Sequence, residues 1–442
     1  MRVAFYTLGC KLNQCESEAL ASSFGSQGFF LVSPSEPADL YVVNTCTVTS
    51  KSEQKARRMI RKYSRENPES LVIVTGCYAQ MDPEVFQSLG SRVIVVSGDQ
   101  KDRLLRLPVY LNESGCAAAA GMDEVRRALG MVGEGETDRF SFDAPSFSSH
   151  SRAYLKIQDG CDNRCSYCRV TLARGDSVSL AIDEVLHRAV RLEEAGFDEI
   201  ILTGINLSQY ASGVQNLSGL VGELLSATRR TRFRLSSLEP DYLIPENTDV
   251  FADPRVCPHF HIPVQSGDDG ILRRMARRYD SARVREAFDL LRGLKADPFI
   301  AADIIVGFPG ETDAAFQSTR KLLEELRPAA LHVFPFSARP GTAAAAFAEH
   351  VPERITGIRT AELRTISETL HAEYLQRWNG RSEEVLVEVS PTDTREGRGI
   401  TGNYLRVRIP GGQGTAYRKG SRYPAFLEFR GSDLTAVPEI SS

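Results

Sequence analysis

No stretch of this sequence is apolar over the about 20 residues that a membrane-spanning helix requires, so no spanning helix is expected. The start, Met1-Arg2-Val3-Ala4-Phe5-Tyr6-Thr7-Leu8-Gly9-Cys10, lacks the apolar core and cleavage site of a signal peptide. Neither sign of charge is in large excess: 53 Lys and Arg face 57 Asp and Glu, for a net charge of -4. That balance excludes a generally basic nucleic-acid binder and leaves any RNA contact to local patches. A second cysteine knuckle is also missing downstream of residue 168, which removes the usual four-ligand zinc site. The expectation is a cytoplasmic protein with no membrane partner. In a reducing compartment its nine cysteines, an odd number, read as ligands or reactive groups and not as disulfides.

What is present is concentrated at Cys161-Asp162-Asn163-Arg164-Cys165-Ser166-Tyr167-Cys168. Three thiolates on one short loop project inward together, and soft sulfur ligands select iron-sulfur clusters or zinc over hard cations. Three ligands on a four-iron cluster leave one iron free to coordinate a small molecule. The pattern C-x-x-x-C-x-x-C, with an aromatic residue before the last cysteine, resembles the radical S-adenosylmethionine (SAM) enzymes.

The 442 residues suffice for about three domains. In the first, residues 1–132, short β-rich runs (Val3 to Thr7, Leu40 to Asn44, Leu71 to Thr75, Val93 to Ser97) alternate with helical stretches, which predicts a parallel α/β sheet. Three of these runs lead into a cysteine: Cys10, Cys46 and Cys77. Ligands gather at the carboxyl ends of parallel strands, so these thiols are placed to converge as a second cluster. Three buried apolar cysteines are the plainer alternative. Cys15, Cys116 and Cys257 have no such placement and read as ordinary thiols.

The segments Gly9-Cys10-Lys11-Leu12-Asn13-Gln14, Asn44-Thr45-Cys46-Thr47-Val48-Thr49 and Thr75-Gly76-Cys77-Tyr78-Ala79-Gln80, followed by the radical SAM loop, resemble the methylthiotransferases. The G-C-K-x-N-Q-x-E-S opening and T-G-C-Y-A-Q are most similar to the branch that modifies N6-threonylcarbamoyladenosine in tRNA. The resemblance implies two 4Fe-4S clusters, one cleaving SAM and an auxiliary one on Cys10, Cys46 and Cys77 involved in sulfur insertion. It further implies tRNA as a partner, an external electron donor and a sulfur source.

A linker rich in Gly, Ser and acidic residues is expected at 133–150, and a second domain at 151–378. There, helical segments alternate with apolar strands at Glu199 to Thr203, Phe233 to Ser236, His259 to Pro263, Phe299 to Val306 and Leu331 to Phe334, the rhythm of a parallel barrel with its chemistry on the loops after the strands. The resemblance implies the open partial barrel of radical SAM enzymes. Polar residues at the strand ends then become SAM candidates: Thr203, Gly204 and Asn206, Glu239 and Gln265, with the D-I-I-V-G-F-P-G segment from Asp303 to Gly310 suited to nucleoside packing and Tyr167 between cluster and adenine. His259 and His261 alternate onto one strand face, yet two histidines without a third ligand are more often hydrogen-bonded side chains than a metal pair. Where the family has Ala-Arg-Gly-x-x-Arg-Ser-Arg, this chain reads Ala173-Arg174-Gly175-Asp176-Ser177-Val178-Ser179-Leu180, without the later arginines.

Two basic runs are candidate RNA contacts: Lys51 to Lys62, for which a solvated helix face is the usual explanation, and Arg273, Arg274, Arg277 and Arg278 at helical spacing, equally an ordinary charged helix. Residues 379–442 change to short alternating strands with glycine turns, including Tyr404 to Ile409, which predicts a small β-barrel. Its interleaved Tyr404, Arg406 and Arg418 suit stacking and phosphate contact, and the segment resembles the TRAM RNA-binding domain. The implied activity is methylthiolation of C2 of N6-threonylcarbamoyladenosine at tRNA position 37. The rivals are the same chemistry on another tRNA nucleoside or a ribosomal-protein aspartate, and a non-catalytic RNA-binding metalloprotein.

Overall fold

A computed structural model describes residues 1–116, 121–131, 138–143, 151–411, 417–431 and 433–438; of the linker expected at 133–150, only 138–143 lie among the described residues. The first unit is a parallel sheet of β1 (Arg2–Thr7), β2 (Phe30–Val32), β3 (Leu40–Thr45), β4 (Leu71–Gly76) and β5 (Val93–Val95) in the order β2-β1-β3-β4-β5. Every residue of β3 and β4 is buried, because helices cover both faces and a continuous apolar run can be used on each side. Alternation sorts the side chains: Val42 and Ile73 pack on the face of α1 (Lys11–Ser26), while Val43 and Val74 pack with Ala56 and Ile60 of α2 (Ser50–Glu66). β2 is an addition to the expected strands; only three residues long and exposed at the sheet edge, it carries too short a pattern to read.

The second unit has two parallel sheets, β6 (Ala153–Lys156), β7 (Glu199–Thr203) and β8 (Arg232–Leu235) in one, and β9 (His259–Gln265), β10 (Phe299–Val306) and β11 (Ala330–Pro335) in the other. Parallel bridges between Phe233 and Val256 and between Ser237 and His261 join them into one arc. Among the described residues no pairing closes β11 onto β6, so the barrel is open, and the segment that follows β6 meets the first unit through Arg169 and Arg174.

The third unit is a closed barrel of β12 (Ser382–Val389), β13 (Gly397–Thr401), β14 (Arg406–Ile409), β15 (Arg422–Arg430) and β16 (Asp433–Pro438), ordered β12-β13-β14-β16-β15. The strand expected from Tyr404 begins later. Tyr404 has φ of 68° and sits in a turn closed by its N–H on the Thr401 carbonyl and by the Leu405 N–H on Thr401 Oγ1. Its ring packs on His259, with centroids 4.4 Å apart, so it belongs to the contact with the second unit and not to an open stacking surface.

That contact is charged. Glu199, fully buried at the start of β7, accepts from Arg234 at 2.7 and 3.0 Å, and Arg234 also donates to the Gly402 and Thr401 carbonyls of the barrel. Burial opposes ionisation of Glu199, but Arg234, Arg152 and Arg232 overcome it and hold the carboxyl down at about 2. A carboxyl lowered on folding stabilises the fold above its unfolded value of about 4.3 and loses that contribution as pH falls towards 2. Glu199→Gln is expected to cost about 3–5 kcal/mol at neutral pH by leaving buried guanidinium groups uncompensated. The difference from wild type, measured by denaturant unfolding, should shrink between pH 5 and 2; parallel pH curves would refute the assignment.

Candidate functional site

Cys10 is the N-cap of α1 directly after β1, Cys46 follows β3, and Cys77 opens the helix Cys77–Met81 directly after β4. Because β1, β3 and β4 are neighbours in the sheet, these three strand ends bring their thiols together, and the charges of Cys10, Cys46 and Cys77 act on one another. Close approach of the loops depends on glycine. Gly76 has φ of 95°, and a Cβ there would lie 2.4 Å from the Thr45 carbonyl oxygen; at Gly9 it would lie 2.9 Å from Cys46 Sγ. Burial pushes the Cys46 thiol up to about 12, a thiol held ready for a cation and not for free ionisation.

The Cys161–Cys168 loop hangs at the carboxyl end of β6. It is fixed from several sides: Cys161 N–H to the Gly175 carbonyl (3.1 Å), Ser166 N–H to the Met275 carbonyl (3.0 Å), and Ala344 N–H to the Ser166 carbonyl (2.7 Å). Burial raises the Cys161 and Cys168 thiols, Cys168 to about 12. Around the loop, Arg277 Nη1 donates to Cys165 Sγ at 3.1 Å, and Asn206 Nδ2 lies 3.8 Å from Cys161 Sγ. Glu239 accepts from Asn163 at 3.2 Å and pairs with Arg277; burial pushes its carboxyl up to about 7 against the pull of Arg277.

Both trios fit a cluster better than a single ion. Thiolates on one tetrahedral zinc stand about 3.8 Å apart, given Zn–S of about 2.3 Å. Among the described residues the only three such donors within 4.8 Å of one another are those of His261, Asp303 and His332, so neither cysteine trio is that tight. Charge agrees at Cys77. Its Sγ accepts from Arg174 Nε at 3.3 Å, and Arg174 belongs to a buried group in which three cations (Lys101, Lys156, Arg174) meet two carboxylates (Glu16, Asp159). The unmatched positive charge suits a net negative four-iron core on three thiolates.

This group was not readable as a site in the sequence. Arg174 donates to Asn13 (2.7 Å), Glu16 (3.0 and 3.1 Å) and Asp159 (3.0 Å), tying the first unit to the second. Arg169, next to Cys168, donates to Thr47, next to Cys46, at 3.1 Å and grips Asp82 with both nitrogens. Arg339 pairs with Glu53 beside it. One signal existed: Glu16 shares its helix face with Leu12, Ala19 and Leu20, and an acid on an apolar stripe needs buried cations. The segment lacking the family's later arginines is ordered by other means, since Val178–Ser179 pairs with Gln158–Asp159 and Ser177 N–H donates to Asp162.

Of the expected SAM residues, Gly204 packs on Gln158, whose Oε1 accepts from Ile205 and Asn206 N–H at 2.9 Å, and Thr203 is buried behind them. Tyr167 and Gln265 line a separate cavity of about 180 Å³ together with Val48, Thr49 and Asp303. The structure thus divides the set between the loop's flank and this cavity. The second basic face is also divided. The helix Asp269–Arg274 ends before Met275, and Ala276 has φ of 57°, so the spacing breaks. Arg273, Arg274 and Arg278 are exposed, whereas Arg277 turns inward onto Cys165 and Glu239 and cannot meet RNA. Arg406 and Arg418 are exposed; Tyr404 is not an open platform.

Gly76 and Gly115 provide a controlled test. Both have left-handed φ, but a Cβ at Gly115 meets nothing within 4 Å. Gly115→Ala is expected to cost about 1 kcal/mol from backbone strain alone, and Gly76→Ala at least about 2 kcal/mol more, by denaturant unfolding. Equal costs would show that the Thr45–Gly76 approach is not as tight as described.

Comparison with known proteins agrees with this geometry. Residues 2–98 match the family described as uncharacterized protein family UPF0004, and residues 155–323 match the radical SAM superfamily. The chain is 39% identical over 470 aligned residues, 95% of its length and 96% of the relative's, to a threonylcarbamoyladenosine tRNA methylthiotransferase of Treponema pallidum. It is 35% identical to the Bacillus subtilis protein of the same name, over 92% of this chain and 90% of that one, and 31% identical to the tRNA-2-methylthio-N(6)-dimethylallyladenosine synthase of Anaeromyxobacter dehalogenans, over 96% and 91%. Among solved structures, the radical SAM methyltransferase TsrM of Kitasatospora setae aligns with a TM-score of 0.53 at 14% identity over 78% of this chain and 76% of that one, a likeness of fold. With sequence similarity running through nearly the whole chain and both thiol trios in place, the protein is a member of the radical SAM tRNA methylthiotransferase family, an enzyme that uses 4Fe-4S clusters and SAM.

Proposed function

We propose that this enzyme attaches a methylthio group to C2 of N6-threonylcarbamoyladenosine at position 37 of tRNA. The observation that carries the reading is the end-to-end similarity to relatives named for that nucleoside, at 39% and 35% identity. In this reading Cys161, Cys165 and Cys168 hold one 4Fe-4S cluster and Cys10, Cys46 and Cys77 the other. SAM bound at the first cluster supplies, on reduction, the radical chemistry that side chains cannot perform.

The protein's own part is placement and exclusion of water. Asn206 and Glu239 flank the Cys161–Cys168 loop and offer an amide and a carboxylate to the amino-acid and ribose ends of SAM. Arg277 keeps Glu239 and Cys165 in register. Tyr167 and Gln265 line the cavity between the two loops, where the base would enter. On the outside, α2 begins at that cavity with Thr49 as its N-cap and turns Lys51, Lys55, Arg58 and Arg61 to solvent. With Arg273, Arg274 and Arg278, and with Arg406 and Arg418 on the C-terminal barrel, these cations would hold tRNA phosphates. The setting is the cytoplasm, with an external electron donor and a sulfur source as further partners.

Anaerobic analysis of the reconstituted wild type is expected to find about eight irons per chain, and about four in the triple variant Cys10→Ala, Cys46→Ala, Cys77→Ala. Zinc in place of iron would favour the non-catalytic alternative. Mass spectrometry of tRNA nucleosides from a strain lacking the gene should show loss of the methylthio form of threonylcarbamoyladenosine; an unchanged level would overturn the substrate.

A further inference from the structure

Arg174 does more than join the first two units. Its Nε donates to Cys77 Sγ at 3.3 Å, and its side chain, 8% exposed, has no freedom to turn away: Nη1 is taken by Glu16 and Asp159, and Nη2 by Asn13 and Glu16. Of the arginines in the family's Ala-Arg-Gly-x-x-Arg-Ser-Arg segment, this chain keeps only this one. Its charge reaches beyond Cys77. Burial opposes ionisation of Cys10 and Cys46, whereas Arg174 favours the anionic form of both, and Glu16 acts in the opposite sense at Cys10.

The same charges bear on what the thiolates hold. A four-iron core on three thiolates is already net negative, and taking up one electron makes it more so, with no bond made or broken. A fixed cation and an N–H donated to sulfur both favour that reduced form, and they act more strongly in a dry interior than in water. A neighbouring carboxylate disfavours it for the same reason.

We propose that Arg174 sets the reduction potential of the auxiliary cluster, raising it through its charge and its hydrogen bond to Cys77, with Glu16 limiting the rise. This rests on the assignment of that cluster to Cys10, Cys46 and Cys77. The short segment around Arg174 then serves both trios: Val170 N–H donates to Cys168 Sγ at 3.4 Å, the Gly175 carbonyl accepts from Cys161 N–H, and the Arg174 side chain reaches across to Cys77.

The test is a potentiometric titration with dithionite, followed by electron paramagnetic resonance. It uses the reconstituted full chain carrying Cys161→Ala, Cys165→Ala and Cys168→Ala, which leaves the auxiliary cluster alone. In that background Arg174→Gln, which keeps a donor but loses the charge, should lower the equilibrium constant for reduction about tenfold or more, about 59 mV for one electron. Arg174→Lys, which keeps the charge, should lose less than half as much. Glu16→Gln removes the opposing charge and should raise the potential. Loosening of the site cannot explain opposite signs, because a wetter cluster shifts the same way whichever residue is changed. Iron at about four per chain and thermal unfolding report whether each variant is intact. An unchanged potential in intact Arg174→Gln overturns the proposal, as do equal shifts in Arg174→Gln and Arg174→Lys, or shifts of one sign in Arg174→Gln and Glu16→Gln. Should Arg174→Gln fail to hold iron, Glu16→Gln decides: a rise supports the proposal, and a fall or no change overturns it. A background protein without iron removes the cluster assignment and the proposal with it, whereas a bound cluster that ignores these substitutions removes the proposal alone.

Discussion

Glu16 is a carboxylate with no access to water that meets three cations from three different segments: Lys101, Lys156 and Arg174. Burial favours its neutral form, but these cations hold it well below the usual carboxylate range. An ion group of this kind is weak evidence for stability as such, since an apolar cluster of the same volume could do as well. Its value is directional. A guanidinium with fixed partners at Asn13, Glu16, Asp159 and Cys77 can occupy one position only, and that position sets the second unit against the first. The two thiol trios belong to different units, so their relative placement depends on this contact and on its smaller counterpart, Arg169 with Thr47 and Asp82.

The open barrel and the parallel sheet present the same kind of edge to each other: carboxyl ends of strands, where loops are free to carry ligands. The first unit contributes its trio from three separate strand ends, and the second from one loop. A trio assembled from distant segments is only as well placed as the sheet that spaces it, which is why β3 and β4 are buried throughout and why Gly76 cannot accept a side chain. A trio on one loop carries its spacing with it but needs outside anchors, and Gly175, Met275 and Ala344 supply them through the backbone. The cavity between the loops is the consequence of both arrangements.

Much of this was legible in the residues. Strand runs at Val3, Leu40, Leu71, Ile200 and Phe299 each hold three or four consecutive apolar residues, and buried parallel strands need such unbroken runs. Cys161, Cys165 and Cys168 declare themselves by spacing. Arg277 was misread because sequence spacing assumes that a helix continues; the break at Ala276 reverses the side chain's direction and converts a surface charge into a partner of Cys165. Tyr404 was misread as the start of a strand; its left-handed φ puts it in the turn before that strand, with the ring against His259.

By itself the sequence determined which segments alternate into a parallel sheet or a parallel barrel, where a small β-barrel follows, and which thiols are set apart by their spacing. These are local properties, written in spacing and periodicity. The tertiary structure decided which charges meet. Glu16 and Arg174 are 158 residues apart, Glu199 and Arg234 are 35 apart, and no periodicity links the members of either pair. Their partnership exists only because adjacent strands and a shared interface remove them from water together, where an unpaired charge would be too costly to keep.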